Sequence, residues 1–134
     1  MLELATRAFV QPGEGAIVSQ HSFAVYSLAA KSVGADLRVV PALRWGHDLE
    51  EMAKVVDDET RIVFIANPNN PTGTWVSRDS LIDFLDSIPN HVLVVLDEAY
   101  FEYVEKGNYP DGIQLLSRYP GLIVTRTFSK IHGL

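Results

Sequence analysis

Five short apolar runs constrain this chain more tightly than any other feature: AIVSQ, LRVVP, RIVFIA, VLVVL and LIVTR, spaced along its whole length. Adjacent rather than alternate positions are apolar in each. Successive side chains of a strand point to opposite faces, so such runs need cover on both sides. Helical spacing fills the gaps between them. From Phe23 to Val33 the residues Val25, Tyr26, Leu28, Ala29 and Val33 fall at that spacing. Asp48 reads as the cap of a helix through Leu49, Met52 and Val55, and Ser77 as the cap of another that buries Leu81, Ile82, Leu85 and Ile88. Strands alternating with helices require crossover connections, and therefore a parallel sheet. The expected fold is α/β, a mostly parallel sheet of about five strands with helices on both faces. With 134 residues, 47% of them hydrophobic, the chain can bury one such core and not two. The loop GNYPDG around Tyr109 is the clearest break, and no internal repeat or low-complexity stretch interrupts the pattern.

The charge balance narrows the partners. A formal net charge of −6 without a basic stripe is the wrong electrostatics for a nucleic-acid backbone. The absence of cysteine removes disulfides, thiol nucleophiles and Cys-based zinc sites, and fits a reducing compartment. Glu3 sits where a signal peptide carries basic charge, and no apolar run approaches membrane-spanning length. The expected setting is cytoplasmic, with neither membrane nor nucleic acid as partner. His21, His47, His91 and His132 are too scattered to give a ligand spacing such as H-E-x-x-H, so no metal is assigned.

Parallel α/β sheets bind ligands beyond the carboxyl ends of their strands. Four clusters lie there: Phe23 after AIVSQ, NPNNPTG after RIVFIA, DEAY after VLVVL and TFSK after LIVTR. Lys130 is either a solvated amine or, beside the hydroxyls of Thr127 and Ser129, a desolvated one that loses its proton and attacks a carbonyl to give a Schiff base. Those hydroxyls and the neighbouring amides suit a phosphate. Asp97 followed by Glu98 has the look of a magnesium-binding strand end in a nucleotide hydrolase. That chemistry needs G-x-x-x-x-G-K-[ST], and GEGAIV lacks the lysine. A buried carboxylate without a metal needs a cation to stay charged, and a protonated pyridine nitrogen is one. Tyr100 and Phe23 are each either core or part of the same site. NPNNPTG is a turn by composition, but two X-Pro bonds packed against a buried strand would also hold the Asn70 amide as a donor to an oxyanion. The Asn70–Pro71 bond is expected to be cis.

Taken in order after successive strands, NNPTG, DEAY and TFSK resemble the large-domain signature of the aspartate-aminotransferase-like (fold type I) pyridoxal-phosphate enzymes. Within that family the text is most similar to the histidinol-phosphate aminotransferases, through RAFVQPGEG, SQHSFAVY, WGHDL, VFIANPNNPTGTW, LVVLDEAYFEY and RTFSKIHGL. The resemblance implies pyridoxal 5'-phosphate as cofactor, with Lys130 as the catalytic residue that carries it as a Schiff base and moves the substrate's α-proton. It implies Asp97 against the pyridine nitrogen, Asn70 and Tyr100 at the phenolic oxygen, Thr127 and Ser129 at the phosphate, and Phe23 stacked on the ring. The implied reaction is transamination in histidine biosynthesis: L-histidinol phosphate and 2-oxoglutarate give imidazole acetol phosphate and L-glutamate. The partners are then a small-molecule amino donor and a 2-oxo acid, with a homodimer for the complete enzyme. Two readings compete, an aromatic-amino-acid or other class I/II transaminase, and a non-catalytic truncated product that keeps the motifs by descent.

The resemblance also implies a strand order of 2-1-3-4-5, with the topological switch between the first and third strands, where Phe23 and Asn70 emerge. It makes residues 1–134 a partial cofactor-binding large domain, with the N-terminal arm, the glycine-rich phosphate turn and the C-terminal small domain outside it. The strand before Lys130 then lies at an open edge of the sheet. The isolated chain is expected to bind cofactor weakly or not at all and to turn over no substrate.

Overall fold

The computed structural model describes residues 1–134. Five strands, β1 (Gly15–Ser19), β2 (Asp36–Val40), β3 (Thr60–Ala66), β4 (Leu93–Asp97) and β5 (Leu122–Thr125), form one parallel sheet in the order β2-β1-β3-β4-β5. Four helices, α1 (Leu2–Phe9), α2 (Ala24–Ser32), α3 (Leu49–Lys54) and α4 (Arg78–Ser87), cover it. The expected strand order and the switch between β1 and β3 are both present.

The consecutive apolar runs feed two cores. Ile17, Val63, Ile65, Val94 and Leu96 project to one face and pack with Leu49, Met52, Leu81, Phe84 and Leu85 of α3 and α4. Their neighbours Ala16, Val18, Ile62, Phe64 and Val95 project to the other and pack with Ala5, Tyr26 and Ala30 of α1 and α2. Both helix starts expected from the sequence are capped as argued. Asp48 Oδ1 accepts from the Glu51 amide at 3.0 Å, and Ser77 Oγ accepts from the Ser80 amide at 3.2 Å.

Three features depart from the sequence reading. LRVVP is not apolar on both faces: β2 is an edge strand, with Asp36 and Val39 exposed and Arg38 paired to Asp36 at 3.0 Å and Asp57 at 2.7 Å. An edge has no neighbour to cover it on one side, and charge there deters pairing with another chain. The N-terminal stretch, considered above only as a leader, is α1, which buries Ala5 and Thr6 against α2 and β3. The long connection after β4 carries two 3-10 turns, η1 (Phe101–Tyr103) and η2 (Gly112–Leu115). At Gly112 a Cβ would stand 2.7 Å from Leu96 Cδ2 and 2.9 Å from Val124 Cγ2, so this turn presses its backbone directly onto β4 and β5. No helix is long and apolar enough to cross a membrane.

Candidate functional site

The carboxyl ends of β1, β3, β4 and β5 meet at one edge of the sheet. Phe23 stands at the start of α2 just past β1, Asn70 sits in the loop after β3, Asp97 closes β4, and Lys130 follows β5. Phe23, Asn70, Asp97, Tyr100 and Lys130 line a single cavity, joined by Tyr26, Ala66, Pro68 and Ala99. The cavity measures about 60 Å³, less than a substituted heterocycle occupies. A second groove of about 500 Å³ has Pro68, Asn70 and Tyr100 in its wall as well. A roomier groove, about 850 Å³ between α3 and α4, holds none of the five residues Phe23, Asn70, Asp97, Tyr100 and Lys130.

Asp97 is held at both oxygens. Its Oδ2 accepts from the Tyr26 hydroxyl at 2.7 Å, and its Oδ1 accepts from Thr125 Oγ1 at 3.1 Å and from the Ala99 amide at 3.2 Å. Burial, and then the charge of Asp97, push the Tyr26 hydroxyl far above the ordinary tyrosine range, so it stays a donor.

The run after β3 is stapled so that Asn70 faces the cavity. Asn67 and Asn69 are buried and bond to the chain itself. Asn67 exchanges two hydrogen bonds with the backbone of Val76 at 2.9 and 3.2 Å, and Asn69 Nδ2 donates to the His21 carbonyl and to Thr72 Oγ1, both at 2.8 Å. Tyr109, from the GNYPDG loop, donates its hydroxyl to the Asn67 carbonyl. The Asn70–Pro71 bond is cis as expected, and so is Asn67–Pro68.

Past β5 the picture is looser. Lys130 Nζ lies 5.2 Å from the centroid of the Tyr100 ring, but the lysine is exposed rather than desolvated, because no other segment of the chain lies over it. Thr127 and Ser129 line none of these cavities. Their hydroxyls are 2.8 Å apart, and the Ser129 amide donates to Thr127 Oγ1 at 3.2 Å, which forms a small polar turn. His132 Nε2 stands 3.6 Å from Glu102 Oε1.

Glu98 serves a different purpose from its neighbour Asp97. It is fully buried, accepts from the Gly112 amide at 2.8 Å, and receives Arg126 at 3.0 and 2.8 Å. Arg126 also reaches Asp111 at 2.7 Å and lies 3.7 Å over the Phe101 ring. Burial pushes the Glu98 carboxyl above the usual range, against the pull of the Gly112 amide and of Arg126. No three His, Cys, Asp or Glu side chains are grouped to hold a metal ion.

The sequence did not single out Tyr26 or Thr125 for the site. Tyr26 reads as a core position of α2, yet it lies one turn beyond Phe23, and Thr125 pairs in register with Asp97 across β4 and β5. Aligning the strand ends would have brought Thr125 to the carboxylate.

The family model described as aminotransferase class I and II matches residues 1–134. The chain belongs to this family. Among curated class I and II aminotransferases it is 58% identical over 134 residues to histidinol-phosphate aminotransferase 2 of Pseudomonas fluorescens Pf-5, and 55% identical to its Pseudomonas aeruginosa counterpart. Each alignment covers all of this chain and 36% of the relative, so the chain spans little more than a third of their length. The crystal structure of the Sinorhizobium meliloti histidinol-phosphate aminotransferase, in complex with pyridoxal-5'-phosphate, is similar at a TM-score of 0.92 and 33% identity, over 99% of this chain and 36% of that one. An aromatic aminotransferase from Pyrococcus horikoshii is similar at 0.85 and 26%, over 96% and 36%. Of these two class I and II structures, the Sinorhizobium histidinol-phosphate enzyme resembles the chain more in both sequence and fold.

Proposed function

We propose that this chain is the central part of the cofactor-binding large domain of a pyridoxal-phosphate-dependent aminotransferase that exchanges the amino group between L-histidinol phosphate and 2-oxoglutarate. The observation that carries the reading is that Lys130 and Asp97, from the ends of different strands, line one cavity together with the ring of Phe23. The identity of 58% to a curated histidinol-phosphate aminotransferase supports the substrate. On this reading the N-terminal arm, the glycine-rich phosphate turn and the small domain belong to the complete enzyme, a cytoplasmic homodimer by resemblance.

The donor set fits pyridoxal 5'-phosphate. A carboxylate oriented by Tyr26, Thr125 and the Ala99 amide suits a protonated ring nitrogen, an amide and a phenol on the same cavity suit an ionised ring oxygen, and an amine suits an aldehyde carbon. When bound, the cofactor supplies an electron sink for the pair left behind when a C–H bond next to nitrogen breaks.

The chain's residues then act in distinct ways. The Asp97 carboxylate would hold a proton on the ring nitrogen, which would keep the ring electron-poor. The Asn70 amide and the Tyr100 hydroxyl would be the donors to the phenolic oxygen. Phe23 would cover one face of the ring. Thr127 and Ser129, now bonded to each other, would hold the phosphate by exchanging that bond for contacts with it. The Lys130 amine would hold the aldehyde carbon of the group and, when free, would be the base placed to take the substrate's α-proton. Lys130 is exposed within residues 1–134, so a closed, water-free surround for its amine is not built by these residues alone.

Two measurements test the reading. In the protein carrying this sequence, borohydride reduction in the presence of pyridoxal 5'-phosphate is expected to leave a covalent adduct on Lys130, located by peptide mass spectrometry and absent after Lys130→Ala. An adduct elsewhere, or none, overturns the cofactor assignment. Turnover with L-histidinol phosphate is expected to exceed that with L-phenylalanine, and the reverse order replaces this substrate with an aromatic amino acid.

A further inference from the structure

Tyr26 is the one member of the cavity wall that is both fully buried, at 1% exposure, and bonded through a hydroxyl to a charged group. Its ring lies parallel to Phe64, with centroids 5.0 Å apart and planes 6° off parallel, and it meets Phe23 edge-on at 5.7 Å and 88°. A ring packed against two others cannot turn, so the place of its oxygen is fixed by the core and not by the carboxylate. That oxygen donates to Asp97 Oδ2 at 2.7 Å.

We propose that Tyr26 is a positioning residue for the cofactor, aligning the Asp97 carboxylate through its hydroxyl and the Phe23 ring through its edge. The inference rests on the cofactor reading above and adds a role that reading does not contain. Asp97 Oδ1 is already tied to Thr125 and to the Ala99 amide. A carboxylate held only at Oδ1 can still rock about the bond to its Cβ, and the Tyr26 bond at Oδ2 stops that motion. Each carboxylate oxygen offers about two acceptor sites, so Oδ2 keeps one for the ring nitrogen after accepting from Tyr26. Burial keeps the Tyr26 hydroxyl protonated well beyond the ordinary tyrosine range, so the tie does not lapse in alkaline solution.

A core role alone needs no hydroxyl at this position, since phenylalanine would fill the same space between Phe64 and Phe23. Tyr26→Phe therefore separates packing from positioning. In the protein carrying this sequence, Tyr26→Phe is expected to weaken pyridoxal 5'-phosphate binding roughly tenfold, the size of one hydrogen bond to a charged group. It is also expected to shift upward the pH midpoint of the lysine-linked cofactor's absorption change. A carboxylate that rocks holds less positive charge on the ring nitrogen, and the lysine-linked nitrogen then protonates more easily. A packing role would move neither quantity while thermal unfolding of the cofactor-free protein stays put. Unchanged affinity with an unmoved or lowered midpoint overturns the proposal.

Thr125→Val and Thr125→Ser supply the second pair, at the opposite oxygen. The valine is expected to move the midpoint the same way and the serine to restore it, and a valine variant indistinguishable from the parent overturns the picture of a carboxylate pinned at both ends. Failure of the unsubstituted protein to form the borohydride-reducible adduct would instead defeat the cofactor reading itself, which keeps the two failures apart.

Discussion

Asp97 and Glu98 are chain neighbours with opposite tasks, because successive strand residues face opposite sides of the sheet. Asp97 turns to the cavity with three donors on it, while Glu98 turns inward to Gly112 and Arg126 and fastens the long connection between β4 and β5. Removing Glu98 strands Arg126 with Asp111 alone and leaves the buried Gly112 amide without an acceptor. Glu98→Ala is expected to cost on the order of 3 kcal/mol in urea-induced unfolding, while Asp97→Ala costs less and abolishes cofactor capture. His47 gives the pH dependence at this scale. It is 8% exposed, and its Nε2 stands 2.9 Å from the Ala66 carbonyl and 3.1 Å from the Ala66 amide, while Nδ1 has no partner. Burial pushes its pKa below the ordinary 6.5. The unfolded chain therefore binds a proton before the folded one does. The contribution of His47 is complete above the ordinary value and is lost as the pH falls through it toward the lowered folded value. The urea midpoint is expected to drop between about pH 7 and pH 5, and to drop less in His47→Gln, in which that proton uptake is missing.

The elements differ in how openly the sequence announces them, and the reason is how local their causes are. The interior strands β1, β3 and β4 were legible as unbroken apolar runs, and α3 and α4 from the caps Asp48 and Ser77, because burial and capping act within a few residues. α1 was not legible: Met1 makes no side-chain cap bond, and only Ala5 and Thr6 are buried. The turn η2 was hidden for a different reason, since it is held by Glu98 and by its own close approach to Leu96, contacts remote in sequence. The site divides in the same way. Position just past a strand end brought Phe23, Asn70, Asp97 and Lys130 to one cavity but not Thr127 and Ser129, whereas Tyr26 and Thr125 look like core and strand until the α2 crossing and the β4 to β5 register bring them to Asp97. Gly112 makes the remote dependence of η2 testable. Gly112→Ala is expected to destabilise by about 1–3 kcal/mol through overpacking. Gly107→Ala, in the same connection with nothing within 4 Å of an added Cβ, is expected to leave the urea midpoint unchanged.

At the scale of the molecule the sheet has two unlike edges, and the candidate site hangs on the weaker one. The β2 edge carries Asp36 and Arg38, with Asp57 alongside. The β5 edge is Leu122, Ile123, Val124 and Thr125, with no charge among them. The Gly121 and Thr125 carbonyls accept from the Val94 and Glu98 amides of the β4 side, so by alternation the amides of Leu122 and Val124 face away from β4. The Leu122 amide turns back to the Tyr119 carbonyl at 3.0 Å, which leaves the Val124 amide as the open donor in the middle of the edge. An apolar edge with an open donor is a template for another chain, and the segment bearing Thr127, Ser129 and Lys130 leaves directly from it. The 134-residue chain is therefore expected to self-associate with rising concentration in sedimentation velocity, and to capture cofactor poorly while it does so. Val124→Pro removes that outward donor at an edge position where proline is tolerated. It is expected to raise the monomer fraction at equal concentration, with the helical and strand signal in circular dichroism kept as evidence of folding. Association undiminished in a folded Val124→Pro chain would move the contact to another surface and leave the poor cofactor capture to be explained by the exposure of Lys130 alone.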